Sequence, residues 1–161
     1  MSKINKEKEL FIREIREGTV IDHIPAGRAL VVLKILNITG REGYKISVLM
    51  NTDSEKLGKK DLVKIENRFL TGSEVNKIAL IAPNATINII RNYEVVNKYK
   101  VQLPDRITNV IKCSNPNCIT NTNEPVEPKF NVVNKNPVEL RCLYCNKITD
   151  ENDIIKQFLG E

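Results

Sequence analysis

The sequence predicts an α+β chain: an antiparallel sheet domain carrying two helices, followed by a small all-β domain that needs a staple. Three observations predict it. Strand-like alternating runs recur through the first hundred or so residues, with two helix-periodic stretches set among them. A proline-containing polar stretch, Gln102-Leu103-Pro104-Asp105, then divides two differently patterned regions. All four cysteines lie beyond that stretch, in two close pairs.

Taken in order, residues 1–17 are charged but interrupted by Leu10, Phe11, Ile12 and Ile15, so their later part is expected to dock. Gly18 to Ile24 is a β-branched run after a glycine and reads as a strand. Alternation sets Val20, Asp22 and Ile24 on one face and Thr19, Ile21 and His23 on the other. Pro25 ends it. Ala26 to Leu36 carries a helical stripe at Ala29, Leu30, Leu33 and Leu36, although Val31-Val32 also suits a buried strand. Asn37 to Gly43 is a turn region. Tyr44 to Met50 alternates as a strand, Asn51 to Gly58 is a polar loop, and Lys59 to Glu66 is a strand. In that last strand Val63 and Ile65 share the core face, with Lys60 and Lys64 opposite. Ser73 to Ala82 is a helix, with Ser73 as the expected N-cap and Val75, Ile78, Ala79 and Ala82 as its apolar stripe. Pro83 stops it. Two more strands, Ala85 to Arg91 and Glu94 to Val101, join at Asn92-Tyr93. The order β-α-β-β-α-β with an added strand is the ferredoxin-like arrangement, two helices on one face of an antiparallel sheet.

Division at 102/103 leaves residues 103–161 as a second domain, too short for a large core. Its expected strands are Ile107 to Lys112, Phe130 to Val133 and Val138 to Arg141, with a terminal helix from Asp153 to Leu159. Cys113 and Cys118 have four residues between them, and Cys142 and Cys145 have two. That spacing lets each pair grip one tetrahedral ion from a tight turn, so Cys113, Cys118, Cys142 and Cys145 read as the ligands of one Zn²⁺. Two disulfides are the competing reading. They need an oxidising compartment, whereas the N-terminus is charged and carries no apolar signal run. Four thiolates leave no open position, so the zinc is expected to be structural. Lys112, Arg141 and Lys147 beside the cysteines would offset the site's negative charge.

The chain has 161 residues and a formal net charge of +5, a modest excess that fits a polyanionic ligand or simply a solvated surface. No apolar run reaches the ~18 residues of a membrane span, and the expected location is the cytoplasm. Catalysis finds little support. Asp22-His23 is half of a triad without a nucleophile, no phosphate-binding glycine motif is present, and Asp150-Glu151 reads as a solvated polar tail. Lys59, Lys60, Lys64, Lys98 and Lys100 form either a solvated face or a phosphate site.

The residues resemble one family, the regulatory chain of aspartate carbamoyltransferase. The resemblance rests on Gly18 to Ala26, Gly58 to Asn67, Ala82 to Thr86, Asn92 to Val96, Leu103 to Ile107 and the two cysteine pairs, in that order. It implies a non-catalytic chain whose first domain binds ATP as activator and CTP, with UTP, as inhibitor in pyrimidine biosynthesis. It implies that the zinc domain binds a separate catalytic chain. The assembly it implies is a heterododecamer of two catalytic trimers and three regulatory dimers, with no nucleic acid or membrane partner. By the same resemblance, His23 and Lys98 lie near phosphates, with Lys60 a further polar site position, and Asp22 and Lys64 near the ribose and base. Asn88, Ile90, Tyr93 and Val95 surround the base, and Ile12, Ile15 and Val20 line it. Arg13 also falls at this site, where the family leads one to expect an acidic residue. Asn115 and Asn117 match positions at the catalytic-chain contact, and Tyr144 in the second cysteine loop is a further candidate there. Alternation alone conflicts with this site, because it separates Asp22 from His23 and Val95 from Lys98. A pocket at a sheet edge or strand end, covered by the N-terminal segment, would reconcile them. A zinc-ribbon nucleic-acid-binding protein is the runner-up reading, disfavoured by sparse aromatics and the lack of a dense basic stripe.

Overall fold

The computed structural model describes residues 14–161. The described residues contain nine strands and three α-helices. The strands are β1 (Glu17–Pro25), β2 (Ile46–Ser54), β3 (Gly58–Glu66), β4 (Thr86–Arg91), β5 (Glu94–Lys100), β6 (Arg106–Thr108), β7 (Lys129–Lys135), β8 (Val138–Cys142) and β9 (Ile148–Asp150). The helices are α1 (Ala29–Ile35), α2 (Gly72–Ile81) and α3 (Glu151–Leu159). By packing the chain forms two compact units. Of the described residues, one comprises 14–29, Thr39–Leu70 and Ala85–Lys100; the other comprises Leu30–Ile38, Thr71–Asn84 and Val101–Glu161.

The first unit is an antiparallel sheet in the order β2-β3-β1-β4-β5. Its first four positions have the ferredoxin-like order, and β5 is appended beside β4. One face is the core, where Ile21, Val63, Ile65 and Ile87 are buried. Gly18 is required where β1 begins. Its φ is +149°, and a Cβ there would collide with the Ile65 carbonyl oxygen and the Ile15 side chain.

Two bulges change the faces that simple alternation assigns. In β1 the register with β3 slips between Ile21 and Ile24, and His23 takes a left-handed φ of 57°. In β5 the register with β4 slips at Val96, so Asn88 faces Lys98 while Ile90 faces Val95. An extra residue re-aims everything beyond it. Asn88 and Ile90 are two apart on one strand, so Val95 and Lys98 share a face. The expectation that they lie on opposite faces is therefore corrected.

Other expectations also shift. The strand expected at Tyr44 to Met50 runs instead from Ile46 to Ser54, through a bulge between Leu49 and Thr52. The predicted loop is thereby reduced to a short turn before Gly58. In the second helix the N-cap is Thr71, not Ser73. Its hydroxyl accepts from Glu74 N–H at 3.2 Å, and Glu74 Oε1 accepts from Thr71 N–H at 3.0 Å, a complete capping box. The first helix is shorter than predicted. It buries Val31, Val32 and Ile35 but leaves Leu30 exposed, and the strand alternative does not hold.

A buried carboxylate on β3 organises the turn between β1 and α1. Asp61, fully buried, accepts from Gly27 N–H at 3.0 Å and Ala29 N–H at 2.8 Å through Oδ2. Through Oδ1 it accepts from Asn51 N–H at 2.8 Å. It serves donors at the start of α1 and fixes the β2 bulge, where Asn51 has φ 58°.

The second unit contains a sheet in the order β6-β7-β8-β9, with Ile107, Phe130, Val138, Leu140 and Ile154 buried. The sixth strand ends at Thr108 rather than Lys112, and β9 is an addition to the predicted set. Helix α3 lies against α2. Asp150 caps α3, accepting from Asp153 N–H at 2.9 Å, and Glu151 accepts from Val138 N–H at 3.4 Å. The pair is part of the fold rather than a solvated tail.

Candidate metal centre and sheet-face site

The cysteine set is built from two turns. The first, Cys113 to Cys118, is folded by local polar bonds. Asn115 Oδ1 accepts from Asn117 N–H at 3.0 Å, and the Asn115 carbonyl accepts from Cys118 N–H at 3.0 Å. Asn121 Nδ2 donates to the Cys113 and Asn115 carbonyls at 2.9 and 2.7 Å. The second turn follows β8. Cys142 N–H donates to the Lys147 carbonyl at 3.0 Å, Asn146 N–H donates to the Cys142 carbonyl at 3.1 Å, and Asn146 takes φ 62°. Asparagine tolerates this left-handed geometry.

The four Sγ atoms lie within 4.8 Å of one another. Cys113 and Cys145 are 3.5 Å apart, and Cys118 and Cys142 are 3.7 Å apart. Both separations are far beyond a disulfide bond of about 2.05 Å. They are close to the edge, about 3.8 Å, of a tetrahedron with metal–sulfur bonds of about 2.3 Å. The four thiols are unlinked. The sulfurs also receive N–H groups two residues ahead: Asn115 to Cys113, Tyr144 to Cys142 at 3.4 Å, and Lys147 to Cys145. Such bonds favour thiolate. Burial opposes it, pushing the Cys113 thiol up to about 12 and the Cys142 thiol upward. The Lys147 N–H leads in lowering Cys145 to about 7. A cation must therefore displace protons from the buried pair. The donor set fits a soft, tetrahedral, closed site and provides no open position for catalysis.

On the sheet domain, register brings many of the predicted residues together. Lys64 faces Val20, Val20 faces Asn88, and Asn88 faces Lys98, in one row across β3, β1, β4 and β5. Ile90 and Val95 form the next pair on the same face. Beside this row, on the side away from Ile90 and Val95, Asp22 and His23 occupy the β1 bulge. Lys60 Nζ lies 2.7 Å from Asp22 Oδ1, and Asp22 Oδ1 accepts from His23 N–H at 2.7 Å. His23 Nδ1 is 3.1 Å from Thr86 Oγ1, and Thr86 itself faces Asp22 and Lys100. The bulge brings the two neighbours to one polar corner, where alternation had separated them.

Burial lowers the His23 pKa, and the cations Lys60, Lys56 and Lys98 lower it further against the raising effect of Asp22. Burial also lowers the Lys64 pKa, opposed by Glu14 and Glu66. Tyr93 is exposed in the β4–β5 turn, where Asn92 and Tyr93 both have positive φ. Ile15 is buried. Ile12 and Arg13 lie outside the described residues. Lys59 pairs with Asp53 at 2.6 Å, away from this cluster. Sequence reasoning missed Thr86 and Lys56, since neither residue type marks a site without the tertiary neighbours.

Around the cysteines, Asn117 and Tyr144 are exposed, while Asn115 is half-buried and used in its own turn. Ile119 and Leu143, apolar and exposed beside the cysteines, were also missed.

Fold and sites together define a two-part chain: a sheet domain with a row of polar and cationic residues across one face, and a module built on a closed four-cysteine centre, the parts of a ligand-binding and metal-stapled subunit. Comparison with known proteins agrees. Residues 10–102 match the model for the aspartate carbamoyltransferase regulatory chain, allosteric domain, and residues 105–155 match the model for the metal binding domain of the same chain. Among the similar relatives is the aspartate carbamoyltransferase regulatory chain of Methanothrix thermoacetophila, 64% identical over 141 residues, covering 88% of this chain and 92% of that one. Those of Hyperthermus butylicus and Thermofilum pendens are 58% identical (92% of this chain, 93% of the relative) and 57% identical (96% and 98%). The chain belongs to the family of aspartate carbamoyltransferase regulatory chains. It is a regulatory rather than catalytic subunit, with an allosteric and a metal-binding domain. No helix among the described residues is long and apolar enough to cross a membrane.

Proposed function

We propose that the sheet face binds nucleoside triphosphates, ATP activating and CTP (with UTP) inhibiting, and that the effect passes to catalytic chains of aspartate carbamoyltransferase in pyrimidine biosynthesis. The observation that carries this reading is the cross-strand row Lys64–Val20–Asn88–Lys98, with Asp22, His23 and Lys60 beside it. A rigid sheet holds several cations at fixed spacing, which suits a polyphosphate. In this reading His23, Lys60 and Lys98 meet phosphates. Asp22 and Lys64 meet the ribose and base, while Asn88, Ile90, Tyr93 and Val95 frame the base and Val20 and Ile15 line it. Ile12 and Arg13 would complete the site from the N-terminal side. Both nucleotides carry the same phosphates, so opposite effects must arise from the base.

The ion held by Cys113, Cys118, Cys142 and Cys145 is Zn²⁺ in this reading, and when bound it closes the two turns into one docking surface. Asn117, Ile119, Leu143 and Tyr144 are exposed there, with Asn115 shaping the turn beneath, and they contact the catalytic chain. The functional boundary falls between residues 102 and 103. The chain works as a dimer, three of which join two catalytic trimers, in the cytoplasm, where free thiols persist.

Regulation is a coupling free energy of ~1–3 kcal/mol between nucleotide and substrate sites, and it is reciprocal. Calorimetric titration of ATP and CTP into the assembly, with and without a bisubstrate analogue on the catalytic chain, tests it. Nucleotide affinity should change severalfold, and Lys98→Ala should weaken both nucleotides. Equal affinities in the two states would refute the coupling. Undiminished binding by Lys98→Ala would refute the site.

A further inference from the structure

The segment that enters the first cysteine turn is not held by a strand. The sixth strand ends at Thr108, Asn109 turns with φ 55° and donates to the Pro128 carbonyl, and Lys112 has no ladder partner. Its backbone is bonded instead by a side chain from the end of α3. Lys112 N–H donates to Gln157 Oε1 at 2.7 Å, and Gln157 Nε2 donates to the Lys112 carbonyl at 2.7 Å. One amide thus supplies both bonds that a neighbouring strand would supply. On the other side of Cys113, Ser114 is held from β9. Its N–H donates to Thr149 Oγ1 at 3.3 Å, its hydroxyl donates to the Ile148 carbonyl at 3.3 Å, and Thr149 is fully buried. The residues before and after Cys113 are both gripped by the stretch from Ile148 to Gln157.

We propose that Gln157 is a positioning residue for the metal centre: the C-terminal helix reaches over as a clamp and sets the backbone from which Cys113 presents its sulfur. The proposal rests on reading the cysteine set as a metal site. Gln157 lies just beyond residue 155, where the match to the metal binding domain ends. Asp150 and Asp153 cap the helix at one end, and Gly160 closes it with a φ of 78°. Helix α3 also lies against α2, so the clamp stands on a packed element. A tetrahedral thiolate site tolerates little displacement of a ligand, so freeing the Lys112 backbone gives Cys113 a route off the ion without unfolding the module.

The test is zinc transfer from the full, zinc-loaded chain to a chromophoric chelator, 4-(2-pyridylazo)resorcinol, under native conditions. Urea midpoints are measured alongside. Gln157→Ala should release zinc about tenfold faster, the scale expected for two lost hydrogen bonds. Gln157→Glu keeps the bond from Lys112 N–H but loses the bond to its carbonyl, and should fall between. Lys156→Ala, on the same helix, should release at the wild-type rate. Val132→Ala in β7 lowers stability without touching the clamp and should accelerate release only as far as its urea midpoint falls. Wild-type release by Gln157→Ala would overturn the proposal. So would release rates of Gln157→Ala and Val132→Ala that follow one line against stability. A wild-type chain that takes up no zinc by elemental analysis would sink the metal reading and this proposal with it, a failure distinct in its stoichiometry.

Discussion

Replacing Asp61 is the most demanding test of how the sheet domain holds its site. The carboxylate is fully buried and accepts from three backbone donors, Gly27, Ala29 and Asn51, at 2.8–3.0 Å. In Asp61→Ala all three bonds are lost. The Ala29 donor is buried and cannot recover a water partner, which costs ~1–3 kcal/mol. The other two donors are partly accessible, and each loses a net ~0.5–1.5 kcal/mol. The negative charge at the start of α1 is worth a further ~0.3–1 kcal/mol. Relief from burying a charge offsets part of this, leaving a loss of about 3–5 kcal/mol out of a typical ~5–15 kcal/mol. Asp61→Asn keeps one oxygen. With that oxygen on Gly27 and Ala29, its amide meets the Asn51 N–H donor to donor, and the cost is ~1–3 kcal/mol. Urea unfolding of the zinc-loaded chain, followed by far-UV circular dichroism, gives both numbers. A loss below ~1 kcal/mol for Asp61→Ala would refute the bond count. Equal losses for both variants would show that charge, not acceptor geometry, controls the site.

Three further outcomes are expected. Stripping zinc, or Cys142→Ala, should unfold the C-terminal module and release the catalytic chain, because metal binding contributes ~10–16 kcal/mol in small zinc peptides; retained co-elution after verified metal loss would count against it. His23 has its pKa lowered from 6.5, first by burial, so its stabilising contribution is present above that unfolded value and is lost as pH falls through it towards the lower folded value. A phosphate beside it raises the pKa again, so ATP binding should take up a proton and strengthen on going from pH 8 towards 6. His23→Gln should flatten that profile in calorimetry, and an unchanged profile would remove His23 from the phosphate site. Gly18→Ala must push a Cβ against the Ile65 carbonyl oxygen at a φ of +149°, and should cost ~2 kcal/mol or more; a urea midpoint equal to wild type would show that the strand adjusts freely.

What was legible in the sequence was what local chemistry decides. Gly18 and the β-branched run after it mark a strand because glycine and β-branching act on the residues that carry them. The cysteine spacings mark a metal site because one ion fixes the separation of its ligands. Asn92 announced a turn, since asparagine tolerates positive φ, although Tyr93 beside it does the same without any such signature. The bulges were hidden because each costs one extra residue and no distinctive side chain. The role of Asp61 left no mark in the sequence, since its donors come from residues ten and more than thirty positions away. Gln157 was silent for the same reason, being 45 positions from the backbone it holds. The N-cap error had a smaller cause: Thr71 and Ser73 are both good caps, and only the Glu74 partner of Thr71 separates them.

The Val96 bulge makes the sheet-face site depend on arithmetic as well as chemistry. Beyond it the strand continues through Asn97, Lys98, Tyr99 and Lys100 in register with Ile89, Asn88, Ile87 and Thr86. Inserting one more residue here, while leaving every functional side chain in place, would exceed the single surplus residue the bulge holds and move the rest of the strand one place along β4. Asn97 would then face Asn88 and Lys98 would face Ile87, a residue of the core. A frame-preserving insertion at an exposed valine would thus invert the polarity of the strand's end, and a library that varies only residue identity would never sample that failure.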